Sequence, residues 1–256
     1  MNYLEKILAT KLEEIEELNS LEAYEEEFKS YPRQDIRHIH WNGNLDVIAE
    51  IKRKSPSKGE LAEIKNPGEL AKKYEQGGAA LISVLTDEKY FGAEKDDLTI
   101  VREHISIPVL RKDFIIDERQ VYQSYFMGAD VILLIVQAFE DNDKLLTLFK
   151  LAQTLGLEVL VEAHDQHQYK VAESIGASII GVNTRDLTTF EENIDLAKEI
   201  FSNKSSDPIS VWESGIKTIE DAKRAYEFGA EALLIGQGLV QNDDPAKFIE
   251  QIRHIS

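Results

Sequence analysis

Four Gly-Ala pairs, beginning at Gly78, Gly128, Gly176 and Gly229, each stand directly before a short apolar run, at spacings of 50, 48 and 53 residues. Glycine just past a helix end accepts the left-handed conformation at little cost, so each pair reads as a helix stop followed by a strand. Four further apolar runs occur, one before the first pair and three between the pairs. In order the eight are DVIAEI, ALISVL, IPVLRK, DVILLIV, LEVLVE, SIIGVN, PISVWE and EALLIG. The segments between them, such as NDKLLTLFKLAQTLG and TIEDAKRAYEFGA, have helical periodicity. Strand and helix therefore alternate, which calls for parallel strands joined by crossover helices. A two-unit repeat seen four times predicts an α/β chain closed into a (β/α)8 barrel, with an open doubly wound sheet as the alternative. A length of 256 residues suits one such domain, 1–256.

Residues 1–45 stand outside the repeat. Leu4, Leu8, Leu12 and Ile15 recur at helical steps, so this segment is expected to be a helical extension laid over an apolar surface. Pro32 and the Asn-Gly pair at 42–43 punctuate the chain before the barrel begins.

In a barrel of this kind the site forms at the C-terminal ends of the strands. In IAEIKRKSPSKG, residues 48 to 59, Ile48, Glu50, Lys52 and Lys54 share one face of the first strand, with Val47, Ala49 and Ile51 on the other. An edge strand with its polar face in water would explain this, and so would a barrel strand whose inner face meets a ligand. The other strand ends carry Ser83 and Thr86, Lys112 and Asp113, Glu162 and His164, Asn183 and Arg185, and Glu213, Ser214 and Gly215. Buried Glu and Lys must compensate one another or serve a ligand, because an isolated buried ion costs several kcal/mol. Carboxylates and ammonium groups meeting at one mouth suit acid-base chemistry, although a structural ion-pair network would look the same.

The loops after the last two strands, ESGIKTIEDA and IGQGLVQNDDP, place Gly215, Gly236 and Gln237 where phosphate is commonly held. The formal charge is −18, yet Lys52, Arg53, Lys54, Lys58, Arg111, Lys112 and Arg185 crowd this one end. A basic mouth on an acidic body favours an anionic small molecule as partner and disfavours nucleic acid or an anionic membrane. Cysteine is absent, which excludes thiolate metal sites and cysteine nucleophiles. His164 and His167 lack further ligands at metal-like spacing, and no dinucleotide, P-loop or nucleophile-elbow motif occurs, so neither metal nor cofactor is expected. With no secretory signal and no apolar run of membrane-spanning length, a cytoplasmic monomer is expected.

Taken together, IAEIKRKSPSKG, LISVLTDEKYF, PVLRKDFIID, GADVILLI, LEVLVEAH, GVNTRDLTTF, ESGI and LLIG resemble the indole-3-glycerol phosphate synthases of tryptophan biosynthesis along nearly the whole chain. The resemblance implies a (β/α)8 barrel whose N-terminal extension, residues 1–45, lies over the catalytic mouth. It implies ring closure, decarboxylation and dehydration of 1-(2-carboxyphenylamino)-1-deoxyribulose 5-phosphate without metal or organic cofactor. It assigns Lys112 as general acid, Glu50 and Glu162 as proton-transfer carboxylates and Lys52 as second catalytic lysine, with Asn183 and Ser214 completing the catalytic set. The division of acid-base steps between Lys52 and Lys112 stays open. It further implies that Lys54, Ser55, Arg185, Gly215, Gly236 and Gln237 contact substrate, and that Phe91, Phe114, Leu133 and Leu187 hold its aromatic ring. For Leu133 and Leu187 an ordinary core role is an equal reading. Ala93, Glu94, Thr184, Trp212 and Gln237 depart from the family pattern. Two other readings remain: another phosphate-binding barrel enzyme, such as an aminoaldose-phosphate isomerase, or an inactive ligand-binding barrel.

Overall fold

The computed structural model describes residues 2–33, 35–185, 193–204 and 207–255. Eight parallel strands close into a barrel: Asp46–Ile51, Leu81–Leu85, Val109–Lys112, Val131–Ile135, Glu158–Ala163, Ile179–Asn183, Ile209–Glu213 and Ala232–Ile235. The first pairs with the last through Ala49 and Ile235 and with the second through Glu50 and Ser83, so no edge is left. This is a (β/α)8 barrel. The four repeat glycines all have positive φ, 90°, 95°, 83° and 98°, as left-handed helix stops require.

Alternation along each strand divides the core in two. Val47, Ala49, Ile51, Ile82 and Val84 face the surrounding helices, while Ile48, Leu110, Leu160 and Val211 meet inside the barrel with Leu133 and Leu234. Ile48, Leu110, Leu160 and Val211 come from the four odd-numbered strands. Two residues further along those strands stand Glu50, Lys112, Glu162 and Glu213. Side chains two apart on a strand point the same way, and alternate strands of such a barrel contribute to one level. An apolar level is thus followed directly by a charged one.

The N-terminal extension touches the barrel at three places. Helix α1 (Tyr3–Ile15), opened by an Asn2/Glu5 capping box, adds Leu4 and Ile7 to the inner apolar cluster beside Phe114 and Phe91. Helix α2 (Leu21–Ser30) packs on the barrel flank, where Tyr24 stacks on Tyr122 at 6.1 Å between ring centres. The following segment reaches the opposite end: Arg37 N–H donates to Asp130 (2.9 Å), Ile39 N–H to Glu158 (3.0 Å) and Asn42 N–H to Asp46 (2.8 Å), all at strand starts. Ile39 and Trp41 pack there against the inner cluster. Of the described residues expected over the mouth, then, α1 makes contacts there, while α2 lies at the side and Arg37, Ile39 and Asn42 at the far end.

The expected stripe on α1 is also rotated. Its buried residues are Leu4, Ile7, Thr10, Lys11 and Ile15, whereas Leu12 is 59% exposed. The helix turns toward the barrel a face that carries a lysine, because carboxylates wait beneath it. No helix among the described residues is long and apolar enough to cross a membrane.

Candidate active site

A cavity opens at the C-terminal ends of the strands, lined by Glu50, Lys52, Lys112, Glu162, Asn183 and Ser214 from the expected catalytic set. Ser55, Phe91, Phe114, Leu133, Arg185, Gly215, Gly236 and Gln237 line it as well. Lys54 does not. The first strand ends at Ile51 and the chain bends into a two-stranded ribbon, Lys54–Ser55 against Gly59–Glu60, so the strand alternation stops before Lys54. Its ammonium instead donates to the Lys89 carbonyl (2.8 Å). Leu187 lies outside the described residues. Arg53 pairs with Asp97, and Arg111 is buried against Thr86, Ser124 and Asp113, so neither faces the cavity.

The charged groups form one ion pair and one group of three. Glu50 is 3% exposed and forms an ion pair with Lys52. Lys112 Nζ lies 2.8 Å from Glu162 Oε2 and 3.2 Å from Glu213 Oε2. Burial alone would lower the Lys112 ammonium, but Glu162, Glu213 and Glu50 outweigh it and hold the group above the ordinary lysine value. Burial likewise opposes ionisation of Glu162, yet Lys112 and His164, whose Nε2 is 3.2 Å away, keep that carboxyl well below the usual range. Glu213 goes the other way, pushed up to about 8 by burial and by the Glu162 charge against the pull of Lys112. Three carboxylates meet two ammonium groups here, and this surplus of negative charge adds to burial in raising Glu213.

Asn183 Nδ2 donates to Glu162 Oε1 (3.2 Å), and Ser214 Oγ donates in turn to Asn183 Oδ1 (2.8 Å). Ser214 has φ 73°, the one positive value among described non-glycine residues, and the Trp212 indole N–H holds its carbonyl at 3.0 Å. Such backbone strain persists where the surroundings over-determine it. Trp212 itself points outward, between Phe201 and Phe228 at 6.0 and 6.2 Å, which accommodates its size away from the cavity. Thr184 is buried and bonds the Glu213 carbonyl. Glu94 reaches Arg53 at 3.5 Å, and the Gln237 side chain is engaged by Gln241.

Glycine at two points makes room for the carboxylates. A Cβ on Gly181 would run into the Glu213 carboxylate, and one on Gly236 into Glu50 with Lys52 Nζ 3.0 Å away. Arg185 NH1 donates to Ser57 Oγ (3.0 Å) in the loop after the first strand, and Lys58 and Lys217 join the same wall. Among the described residues no cluster of His, Asp or Glu is placed to hold a metal.

A family model for indole-3-glycerol phosphate synthase matches residues 4–252. The chain belongs to the indole-3-glycerol phosphate synthase family. An indole-3-glycerol phosphate synthase of Chloroherpeton thalassium is 42% identical over 256 residues, covering 97% of this chain and 98% of the relative. One of Listeria monocytogenes is 44% identical over 245 residues, covering 96% of each. Among solved structures, 3-hexulose-6-phosphate synthase of Salmonella typhimurium superposes with a TM-score of 0.65 at 14% identity, over 82% of this chain and 98% of that one, a likeness of fold. For a synthase of this family, Glu213 is the residue that strand reading passes over. It stood among the strand-end polar groups without a role, although it occupies the same position after Val211 as Glu50, Lys112 and Glu162 do after their apolar partners.

Proposed function

We infer that the chain converts 1-(2-carboxyphenylamino)-1-deoxyribulose 5-phosphate into indole-3-glycerol phosphate, carbon dioxide and water, as a lyase of tryptophan biosynthesis. The observation that carries this is the membership of the family together with one charged level, Glu50, Lys112, Glu162 and Glu213, at the barrel mouth.

In this reading Lys112, kept protonated by its carboxylate neighbours, donates a proton to the substrate ketone oxygen as the aromatic carbon attacks it. Loss of carbon dioxide from that carbon leaves its electron pair in the ring. Glu162 and Glu50 carry protons in the condensation and dehydration, and Lys52 meets the substrate carboxylate or protonates the departing hydroxyl. Asn183 fixes Glu162, and Ser214 fixes Asn183. Phe91, Phe114 and Leu133 form the wall for the aromatic ring, with Leu133 also packed in the inner core. The phosphate lies toward Gly215, Gly236 and Gln237, with Ser55 and Arg185 at its entrance. Residues 1–256 act as one domain, α1 roofing the ring pocket.

Incubating the purified protein with the carboxyphenylamino-deoxyribulose phosphate and following indole fluorescence tests this directly. Product above a heat-killed control is the expected result; none would overturn it and leave another phosphate-binding barrel enzyme or an inactive ligand-binding barrel.

A further inference from the structure

Lys11 is the buried cation of the extension. Its side chain is 1% exposed, and its ammonium lies 2.8 Å from Asp87 Oδ2, 3.0 Å from Asp113 Oδ1 and 2.8 Å from Glu14. Asp87 follows the second strand and Asp113 the third, so one ammonium joins α1 to two successive loops of the mouth. Each of these carboxylates also orients a wall of the cavity. Asp87 Oδ1 accepts from the Tyr90 and Phe91 N–H groups (2.6 and 3.3 Å), setting the short helix that presents Phe91. Asp113 directly follows Lys112 and accepts the Phe114 N–H (2.8 Å). Phe91 and Phe114 face each other at 6.2 Å.

The two carboxylates differ in what else holds them. Asp113 retains Arg111 (3.0 Å) and Thr86 (2.7 Å). Apart from Lys11, Asp87 Oδ2 meets no donor among the described residues, so Lys11 is its counter-charge. Neighbouring contacts run the same way: Tyr90 Oη lies 3.0 Å from Thr10 Oγ1, and Lys89 Nζ donates to that hydroxyl.

We propose that Lys11 is a positioning residue for the reaction: by clamping Asp87 to Asp113 it sets the separation of Phe91 and Phe114 and the placement of Lys112. The clamp rests on the role given above to Lys112. Its chemistry is purely ionic, with no bond made or broken, and it reaches the reacting atoms through the loops. A catalytic group shifted by about 1 Å can lose up to about a hundredfold in rate, so the cost of freeing these loops should appear in turnover and not only in stability.

The experiment measures kcat, KM and thermal midpoint for the wild type, Lys11→Met and Lys11→Arg, well below the lowest midpoint. Wild-type turnover in the same assay tests the parent reading separately. Lys11→Met, which keeps the apolar stem and removes the charge, should lower kcat about tenfold or more and raise KM a few-fold. Lys11→Arg, which keeps the charge, should hold kcat within about threefold of wild type. An active wild type with a Lys11→Met kcat within about twofold of it would overturn the proposal, leaving Lys11 a structural ion pair. Should Lys11→Met not fold, Lys11→Ala with added propylammonium carries the test: saturable recovery of kcat is expected, and a folded Lys11→Ala protein with wild-type kcat before any amine is added would overturn the proposal.

Discussion

Lys112 and Glu162 meet 2.8 Å apart from the third and fifth strands, with a whole strand between them. Barrel closure turns alternate strands inward at one level, so residues 50 apart in sequence become hydrogen-bonded partners. Glu213 lies against the other side of this pair, 3.2 Å from Lys112.

On the proposed mechanism, Lys112→Ala should remove the proton donor while leaving the other walls of the cavity in place. Turnover should fall by about 10²–10⁴-fold, the usual contribution of general acid catalysis. Substrate binding measured by calorimetry should change far less. Near-normal turnover would take Lys112 out of its role.

Glu213→Gln tests the surplus charge. A carboxyl whose folded value is raised holds its proton when the unfolded chain has already lost it, so wild-type stability falls as pH rises from the ordinary carboxyl value, 4.5, toward about 8. The amide has no such proton. Relative to wild type, the thermal midpoint of Glu213→Gln should therefore rise through this interval, by a few degrees at its upper end. A difference that stays flat with pH would show that Glu213 carries no raised carboxyl.

Asp113 has the opposite sign. Burial opposes its charge, but Lys11 and Arg111 outweigh burial and hold the carboxyl well below its ordinary value. Its contribution to stability is present above pH 3.8 and lost as pH falls below that. Asp113→Asn should cost about 3–5 kcal/mol at neutral pH, by leaving buried cations uncompensated. Chemical denaturation at pH 7 and pH 3 should show the deficit narrowing in acid.

Gly236→Ala separates space from backbone. Gly236 has φ −104°, so it is not held in the left-handed region that favours glycine, yet an added methyl would meet the Glu50 carboxylate. The kcat/KM should drop by about tenfold to a hundredfold through displacement of the Glu50–Lys52 pair. Unaltered kinetics would show that this pair has room to move.

The orientation of α1 is tested by a contrast between neighbours. Ile7→Ala, at a position 2% exposed in the inner cluster, should cost about 2–5 kcal/mol. Leu12→Ser, on the outer face, should stay within about 0.5 kcal/mol. Equal losses would mean that the helix faces the other way.

Much of the site was legible along the chain because strand alternation is a local rule. Glu50 and Lys52 lie on the inner face opposite Val47, Ala49 and Ile51, and the motifs around Lys112, Glu162, Asn183 and Ser214 each mark a strand end. Where the rule stopped, so did the reading. Lys54 was carried on the same line as Glu50 and Lys52, but the strand ends at Ile51 and the following ribbon turns its ammonium to the Lys89 carbonyl.

The sequence by itself determined the eightfold alternation and the inward sets of each strand, since these follow from periodicity and from glycine stops at Gly78, Gly128, Gly176 and Gly229, whereas Arg53, Lys54 and Arg111, counted toward a basic mouth, turn away from the cavity. Tertiary structure alone decided which charges pair. Lys11 sits to one side of the stripe of α1 that helical periodicity marks out, on the face turned to the barrel, and its burial is explained by Asp87 and Asp113, more than 70 residues away. A buried ion is tolerated where a counter-ion meets it, and where that counter-ion stands is a property of the closed barrel, not of the local chain.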